Sequence, residues 1–312
     1  MKKMKSSENN HSLSVGDFYG KFGEKLCLDP VHGERGFERR IISPSAKKPG
    51  LRMIEKKIEL EEGNIQVLGR TEISYINGFP DRTQKKIITN LLSNDIPCFI
   101  LSKGARPDKS FAEHFERKQI PLFTTTLGTG KFITILNELL TEEFATRITV
   151  HGVLLDVHHM GVLILGKSGI GKSECAIDLI IQGSKLIADD VVEIRKIGSQ
   201  TLVGVGPENI RYLLEVRGIG IVNIKDLFGT TCVMEKREID MVIELHKWDS
   251  ETEYDRLGVD TKTYSILDIE LPYMVLPVSP GRNMASVIDV AVRSHILKDT
   301  GKSIEIPSGT RK

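Results

Sequence analysis

The chain is poor in cysteine. Its four cysteines, Cys27, Cys98, Cys175 and Cys232, are widely scattered and form no C-x-x-C pair. That spacing suggests neither a zinc site nor a disulfide framework. Long apolar runs are also missing. None approaches the about 20 residues that a membrane span needs, and Met1 to Ser12 is polar and lysine-rich, without the apolar stretch of a signal peptide. An excess of charge is absent too. Lys plus Arg is 43 against 42 for Asp plus Glu, a formal net charge of +1, so a general nucleic-acid or membrane binder is not indicated. No internal repeat or low-complexity segment is present. These absences predict a cytoplasmic globular protein with reduced cysteines.

The 312 residues suggest about two domains. Residues 1–13 read as a disordered tail, 14–145 as an N-terminal α/β domain and 146–312 as a second domain. In the first, strand and helix patterns alternate. Ile65–Ile76 reads as a strand pair or a bent strand around Gly69, Gln84–Leu92 as a helix and Pro97–Leu101 as a strand. Phe111–Lys118, Pro121–Thr124 and Phe132–Phe144 then read as helix, strand and helix. Such alternation implies a largely parallel sheet.

The most informative segment is Gly166-Lys167-Ser168-Gly169-Ile170-Gly171-Lys172-Ser173, a complete G-x-x-x-x-G-K-[ST] P-loop. A buried-strand run, Val162–Leu165, precedes it. Ala176, Leu179 and Ile180 follow at helical spacing, and Gly183 supplies a stop. In this setting backbone N–H groups and the helix N-terminus would surround phosphate oxygens. Lys172 would reach the β/γ-phosphates and the Ser173 hydroxyl would sit on Mg²⁺. The expected ligand is therefore ATP with Mg²⁺. A similar run, Gly128-Thr129-Gly130-Lys131, has Thr125 in place of the first glycine and Phe132 in place of the hydroxyl residue, so it does not qualify.

A ruler locates the next groups. A helix over Lys172–Gln182 advances about 16 Å at 1.5 Å per residue, and a strand over Ser184–Asp190 returns about 23 Å. Asp189 and Asp190 therefore come back to the level of the P-loop. Two carboxylates there allow one to serve Mg²⁺ or its water and the other the nucleophile's proton. His151, one strand before the P-loop, reads as a structural hydrogen-bonding residue or a catalyst. His158 and His159 read as a surface-turn pair. Glu215, in Leu213–Gly220, has two readings: a magnesium contact, or a salt bridge with Arg217. Arg256 and Arg282 are both candidates to fork onto phosphate. Arg282 leaves the turn Pro277-Val278-Ser279-Pro280-Gly281-Arg282.

HGVLLD, GKSGIGKSE, LIADDVVEI, LLEVRGIGIVNI, YDRLG and PVSPGRN occur in that order, preceded by LGRTEIS at Leu68–Ser74. Together they resemble the bacterial HPr kinase/phosphorylase family, from about residue 14 to about residue 295. The resemblance implies a P-loop kinase domain related to phosphoenolpyruvate carboxykinase and a homohexamer. It also implies phosphorylation of a serine on the phosphocarrier HPr. In the reverse direction, inorganic phosphate would attack phosphoserine and release pyrophosphate. On the same grounds His151, Lys172, Asp190 and Arg256 match active-site positions, and Ser173 and Glu215 match magnesium contacts. Glu215–Ile224 matches a stretch linked to both reactions, and Pro277–Arg282 one linked to dephosphorylation. Ser279 stands where the family often has a basic residue, and His159 where a glycine is usual. Two rival readings of the P-loop domain are a small-molecule kinase and a nucleotide-gated regulatory module without turnover.

Overall fold

The computed structural model describes residues 3–4, 12–32, 34–50, 59–105, 109–249, 262–279 and 281–300. They fall into two compact units, Asn9–Ala145 and Thr146–Lys312, the latter joined by Met1–Glu8. Lys3–Met4 form β1, which lies inside the segment expected to be a disordered tail. An edge strand offers unpaired backbone groups to any extended segment, which is how so polar a stretch joins a sheet.

The first unit contains β2 (Leu13–Ser14), α1 (Val15–Phe22), β3 (Leu28–His32), β4 (Arg40–Ile41), β5 (Gln66–Leu68), α2 (Arg70–Asn77) and α3 (Asp81–Leu91). It continues with β6 (Phe99–Leu101), α4 (Lys109–Arg117), β7 (Leu122–Thr125) and α5 (Thr129–Glu143). The main sheet runs β3-β7-β6-β5. β5, β6 and β7 are mutually parallel, and β3 is antiparallel to β7. Side chains alternate across this sheet as strand geometry requires. Val67, Ile100 and Phe123 meet Phe18 of α1 and Phe132 and Leu136 of α5. Leu68, Phe99, Leu101 and Leu122 meet Ile73, Ile88, Phe111 and Phe115 of α2, α3 and α4.

One expectation fails here. Ile65–Ile76 is not a bent strand but a strand followed by a helix. Gly69 is the N-cap of α2, and its N–H donates to the Glu72 carboxylate at 2.9 Å. Ile73 and Ile76, three apart, then face the core on one side of the helix. The capping glutamate three residues after Gly69 is the signal that overrides the β-branched composition.

The second unit contains β8 (Thr146–His151), β9 (Val153–Val157), β10 (Met160–Gly166), α6 (Lys172–Ile181), β11 (Lys185–Ala188), β12 (Val191–Ile197) and β13 (Thr201–Val205). Next come β14 (Leu213–Val216), β15 (Gly220–Asn223), α7 (Ile224–Phe228), β16 (Lys236–Glu238), β17 (Met241–Lys247), β18 (Lys262–Ile266), β19 (Ile269–Val278) and α8 (Met284–Asp299). A seven-stranded sheet runs β1-β18-β19-β17-β10-β9-β11, and a four-stranded sheet runs β16-β13-β12-β8. On one face of the larger sheet, Val162, Ile164, Ile243 and Leu245 pack against Ala176 and Leu179 of α6 and Ala285 and Ile288 of α8. On the other, Leu154, Leu163 and Val242 pack against Val150, Val192, Ile194 and Leu202 of the smaller sheet. Being covered on both faces makes β10 an unbroken apolar run.

His151–Asp156, a strand-like run in the sequence, does not form one strand: it is divided between β8 and β9, which lie in different sheets. Gly152 is the break. A Cβ there would lie 2.8 Å from the Ile164 carbonyl oxygen, so no side chain fits. Gly218–Ile224, also strand-like in composition, divides into a turn, β15 and the first residue of α7. Among the described residues no helix is long and apolar enough to cross a membrane.

A surface charge cluster tethers α8 to the turn between β9 and β10. His158 Nε2 contacts the Asp289 carboxylate, and Arg293 Nε donates to it at 2.8 Å. Burial raises the Asp289 pKa and is the largest single influence, but the bonds and charges of Arg293 and His158 together outweigh it, leaving the pKa below its ordinary value. The ionised carboxylate therefore stabilises the fold above the unfolded-state pKa, and this contribution is lost as pH falls through the folded pKa. Asp289→Asn should cost no more than about 1 kcal/mol at neutral pH. The difference from wild type should shrink through the acidic carboxylate range. Urea midpoints at neutral and acidic pH check this; a difference that grows on acidification contradicts it.

Candidate functional site

The site forms at the carboxyl ends of parallel strands β10 and β17, where open α/β sheets place ligands. β10 ends at Gly166 and α6 begins at Lys172, so the intervening loop carries the chain from sheet to helix N-terminus. Gly166 has φ of 147°, and a Cβ there would lie 2.8 Å from the Leu245 carbonyl oxygen. Both the conformation and the close approach to β17 require glycine.

Lys172 is only 7% exposed. Its Nζ donates to the carbonyl oxygens of Gly166 at 3.0 Å and Lys167 at 3.4 Å. Both acceptors are neutral, so the ammonium folds over its own loop and makes no ion pair with a carboxylate among the described residues. Such a cation beside a helix N-terminus is suited to an anion.

The two aspartates after β11 part ways. Asp189 is buried and accepts the Ser173 hydroxyl at 3.1 Å on each carboxylate oxygen. The backbone N–H of Glu215 lies 3.4 Å from Asp189 Oδ2. Burial pushes the Asp189 carboxyl above its ordinary pKa despite these donors. Asp190 turns outward at φ of 68°, a left-handed conformation that Asp tolerates better than most residues. Its Oδ1 lies 2.9 Å from His151 Nδ1, and its carbonyl accepts the Gly152 N–H at 3.1 Å. Adjacent residues thus present one carboxylate to the Ser173 hydroxyl and the other to an imidazole.

These groups line a common open cavity of about 380 Å³, with Ser168, Gly169, Glu215 and Arg217 also on its wall. Glu215 projects from the antiparallel hairpin β14–β15. The alternative of a Glu215–Arg217 salt bridge does not hold, because Arg217 Nε lies 3.7 Å from Glu174 Oε1 instead. Glu174 also lines the cavity and was not singled out in the sequence. Its one signal is its place directly after Ser173 in the first turn of α6.

Other sequence candidates lie elsewhere. Pro277 and Val278 end β19, and Arg282 N–H closes a turn onto the Ser279 carbonyl at 3.2 Å, with Gly281 at φ of 76°. None of them lines the cavity. Pro280 and Arg256 lie outside the described residues. His158 and His159 occupy left-handed turn positions, φ of 53° and 64°. No cluster of metal-ligating side chains occurs among the described residues. Lys172 and the loop nonetheless suit a triphosphate. Ser173, Asp189 and Glu215 all line the cavity, and hydroxyl and carboxylate oxygens suit a hard divalent cation completed by phosphate and water.

Comparison with known proteins agrees over both units of the chain. The sequence profile of the HPr Serine kinase N terminus matches residues 13–140, and that of the HPr Serine kinase C-terminal domain matches residues 142–305. The HPr kinase/phosphorylase of Geobacter sulfurreducens is 45% identical over 295 residues, covering 94% of this chain and 92% of that protein. Its counterpart from Caldicellulosiruptor bescii is 41% identical over 275 residues, 88% of each chain. Among solved structures, the Hpr(Ser) kinase/phosphatase from Coxiella burnetii is 36% identical, covering 49% of this chain and 93% of that one, with a TM-score of 0.47. The two profile matches and the length of the shared sequence establish that this chain belongs to the HPr kinase/phosphorylase family.

Proposed function

We propose that this protein transfers the γ-phosphoryl group of ATP to a serine of HPr and removes it again by phosphorolysis. The observation that carries the reading is the division of Asp189 and Asp190 between Ser173 and His151 beside the glycine-rich loop. That arrangement separates metal binding from proton transfer, as phosphoryl transfer to a hydroxyl requires. The loop then acts as a P-loop, in a domain of the phosphoenolpyruvate carboxykinase type. The assembly is a homohexamer, and the scattered cysteines suit a cytoplasmic setting.

In the forward direction the serine Oγ attacks the γ-phosphorus, the bond to the β–γ bridging oxygen breaks, and ADP leaves. Asp190 accepts the serine proton, and His151 holds the carboxylate in place. Lys172 offsets charge on the phosphates. Ser173, Asp189 and Glu215 would hold Mg²⁺, which when bound neutralises phosphate charge. In reverse, an oxygen of inorganic phosphate attacks the phosphoserine phosphorus. The serine oxygen departs with the proton returned by Asp190, and pyrophosphate forms. Arg282 and Arg256 are assigned to phosphate, Arg282 to inorganic phosphate in particular, where a guanidinium fork offsets repulsion between two anions. With Ser279 in a position often basic, phosphorolysis should be the weaker activity.

The test is incubation of the purified protein with ATP, Mg²⁺ and HPr, followed by detection of phosphoserine. Phosphoserine on HPr is the expected result; ATP binding without transfer would leave the nucleotide-gated module as the better reading. Run in reverse with phosphoserine-HPr and inorganic phosphate, the same assay should show Arg282→Ala losing more pyrophosphate release than forward transfer. Equal losses would remove its direction-specific role.

A further inference from the structure

Besides the aspartate pair, the described residues that line the reaction cavity include two further carboxylates, Glu174 and Glu215, and one guanidinium, Arg217. How these three share their charge sets what the cavity can bind. Glu215 and Arg217 are alternate residues of one hairpin, the spacing at which side chains of an extended chain point to the same side. A pair with each other is the local expectation, and it would offset the carboxylate charge that a cation needs. Among the described residues that pair does not form. Arg217 Nε lies 3.7 Å from Glu174 Oε1 instead, in the first turn of α6. Glu174 directly follows Ser173, so the guanidinium is drawn across to the helix and away from its own hairpin neighbour.

The backbone of the hairpin is held by other contacts. Leu214 is buried in the core shared with α6, and Val216 and Val222 pack against that core. The Glu215 N–H lies 3.4 Å from Asp189 Oδ2. With the backbone fixed, the Arg217 side chain has two carboxylates to choose between, Glu174 across the gap and Glu215 on its own hairpin. The side chains of Arg217 and Glu174 are 77% and 47% exposed, so this choice is set by a modest energy and is open to change by a single substitution. We propose that Glu174 is a positioning residue for the metal site: it holds Arg217 away from Glu215 and so leaves the Glu215 carboxylate to the divalent cation. The proposal rests on the functional reading above, which gives Glu215 to Mg²⁺. It adds the group that keeps Glu215 available.

The experiment compares full-length wild type with Glu174→Gln, Arg217→Gln, the double variant of these two, and Glu215→Gln. Mn²⁺ binding in the presence of ADP, followed by the electron paramagnetic resonance of the free ion, reads the site without turnover. The Mg²⁺ concentration for half-maximal HPr phosphorylation is measured alongside, and a thermal melt checks that each variant is folded. In Glu174→Gln the freed guanidinium competes for Glu215. The Mn²⁺ Kd and the Mg²⁺ requirement should both rise, by up to about fivefold, the factor an exposed ion pair is worth. Removing the guanidinium as well, in the double variant, should return Mn²⁺ affinity to within about twofold of wild type. Arg217→Gln alone should leave Mn²⁺ affinity near wild type, because the guanidinium is already held off Glu215. An unchanged Mn²⁺ affinity in Glu174→Gln overturns the proposal. So does an equal loss in the single and double variants, which would make Glu174 a direct ligand of the cation. A gain in Arg217→Gln as large as the loss in Glu174→Gln also overturns it, since the effect would then be one of net charge. Wild-type Mn²⁺ binding in Glu215→Gln would refute the assignment of Glu215 to the metal instead, and that control separates the two failures.

Discussion

Lys172→Ala should abolish nearly all phosphoryl transfer while leaving the protein folded. The Lys172 ammonium is 7% exposed, and its acceptors are two carbonyls of its own loop. It is thus a positive charge held at the start of a helix and aimed where phosphate charge would accumulate. A preorganised donor of this kind typically contributes about 10²–10³-fold to the rate when it faces developing charge. Truncation removes that contribution and part of the affinity for the triphosphate. It also relieves the protein of a buried ammonium that has no carboxylate partner among the described residues, so the thermal midpoint should not fall far. Initial rates of HPr phosphorylation, nucleotide affinity and a thermal melt check the three parts. Wild-type turnover in Lys172→Ala would remove the loop from the reaction.

Much of this site is legible in the sequence because it depends on local order. The strand, glycine-rich loop and helix are consecutive, and each carries its own signal: a run buried on both faces, glycines where the backbone takes positive φ, and apolar residues at helical spacing. The return of Asp189 and Asp190 follows from element lengths alone, and the hydrogen bonds from Ser173 agree with it. What the sequence conceals is non-local. His151 and Asp190 are neighbours because β8 and β12 pair, with His151 opposite Val191. No periodicity reveals such a pairing. Arg217 reaches Glu174 rather than Glu215 because the hairpin folds toward α6, and alternation along a strand does not say which neighbour a charged tip will find. For the same reason β8 and β9 read in the sequence as one strand-like run. Both are apolar runs, and only Gly152, where a Cβ would strike Ile164, marks the passage from one sheet to another. At Gly69 the error was of another kind. β-branched composition argued for a strand, but an N-cap and its glutamate decided for a helix.

Asp190→Asn should lose both reaction directions and keep nucleotide binding. The substitution is unusually clean at this position. Asp190 sits at φ of 68°, a region that Asn occupies about as readily as Asp, so the backbone is not forced to move. The amide oxygen of Asn can still accept from His151 Nδ1, 2.9 Å from the carboxylate in the native protein. On the proposed mechanism, what disappears is the ability to take a proton from the attacking serine, and to return it to the departing serine oxygen in phosphorolysis. Microscopic reversibility ties those two losses together. General acid–base catalysis is worth typically about 10²–10⁴-fold, and both rates should fall by that order. Asp189→Asn provides the contrast. Asp189 is buried against Ser173 and faces the proposed Mg²⁺ position, so its substitution should act by raising the Mg²⁺ concentration needed for half-maximal rate. Excess Mg²⁺ should therefore rescue Asp189→Asn in part and leave Asp190→Asn unimproved. Titrating Mg²⁺ in both variants, in both directions, separates a metal role from a proton role. If Asp190→Asn kept near-native transfer rates, the proton would have to pass to another group lining the cavity, and the assignment of the base would be wrong.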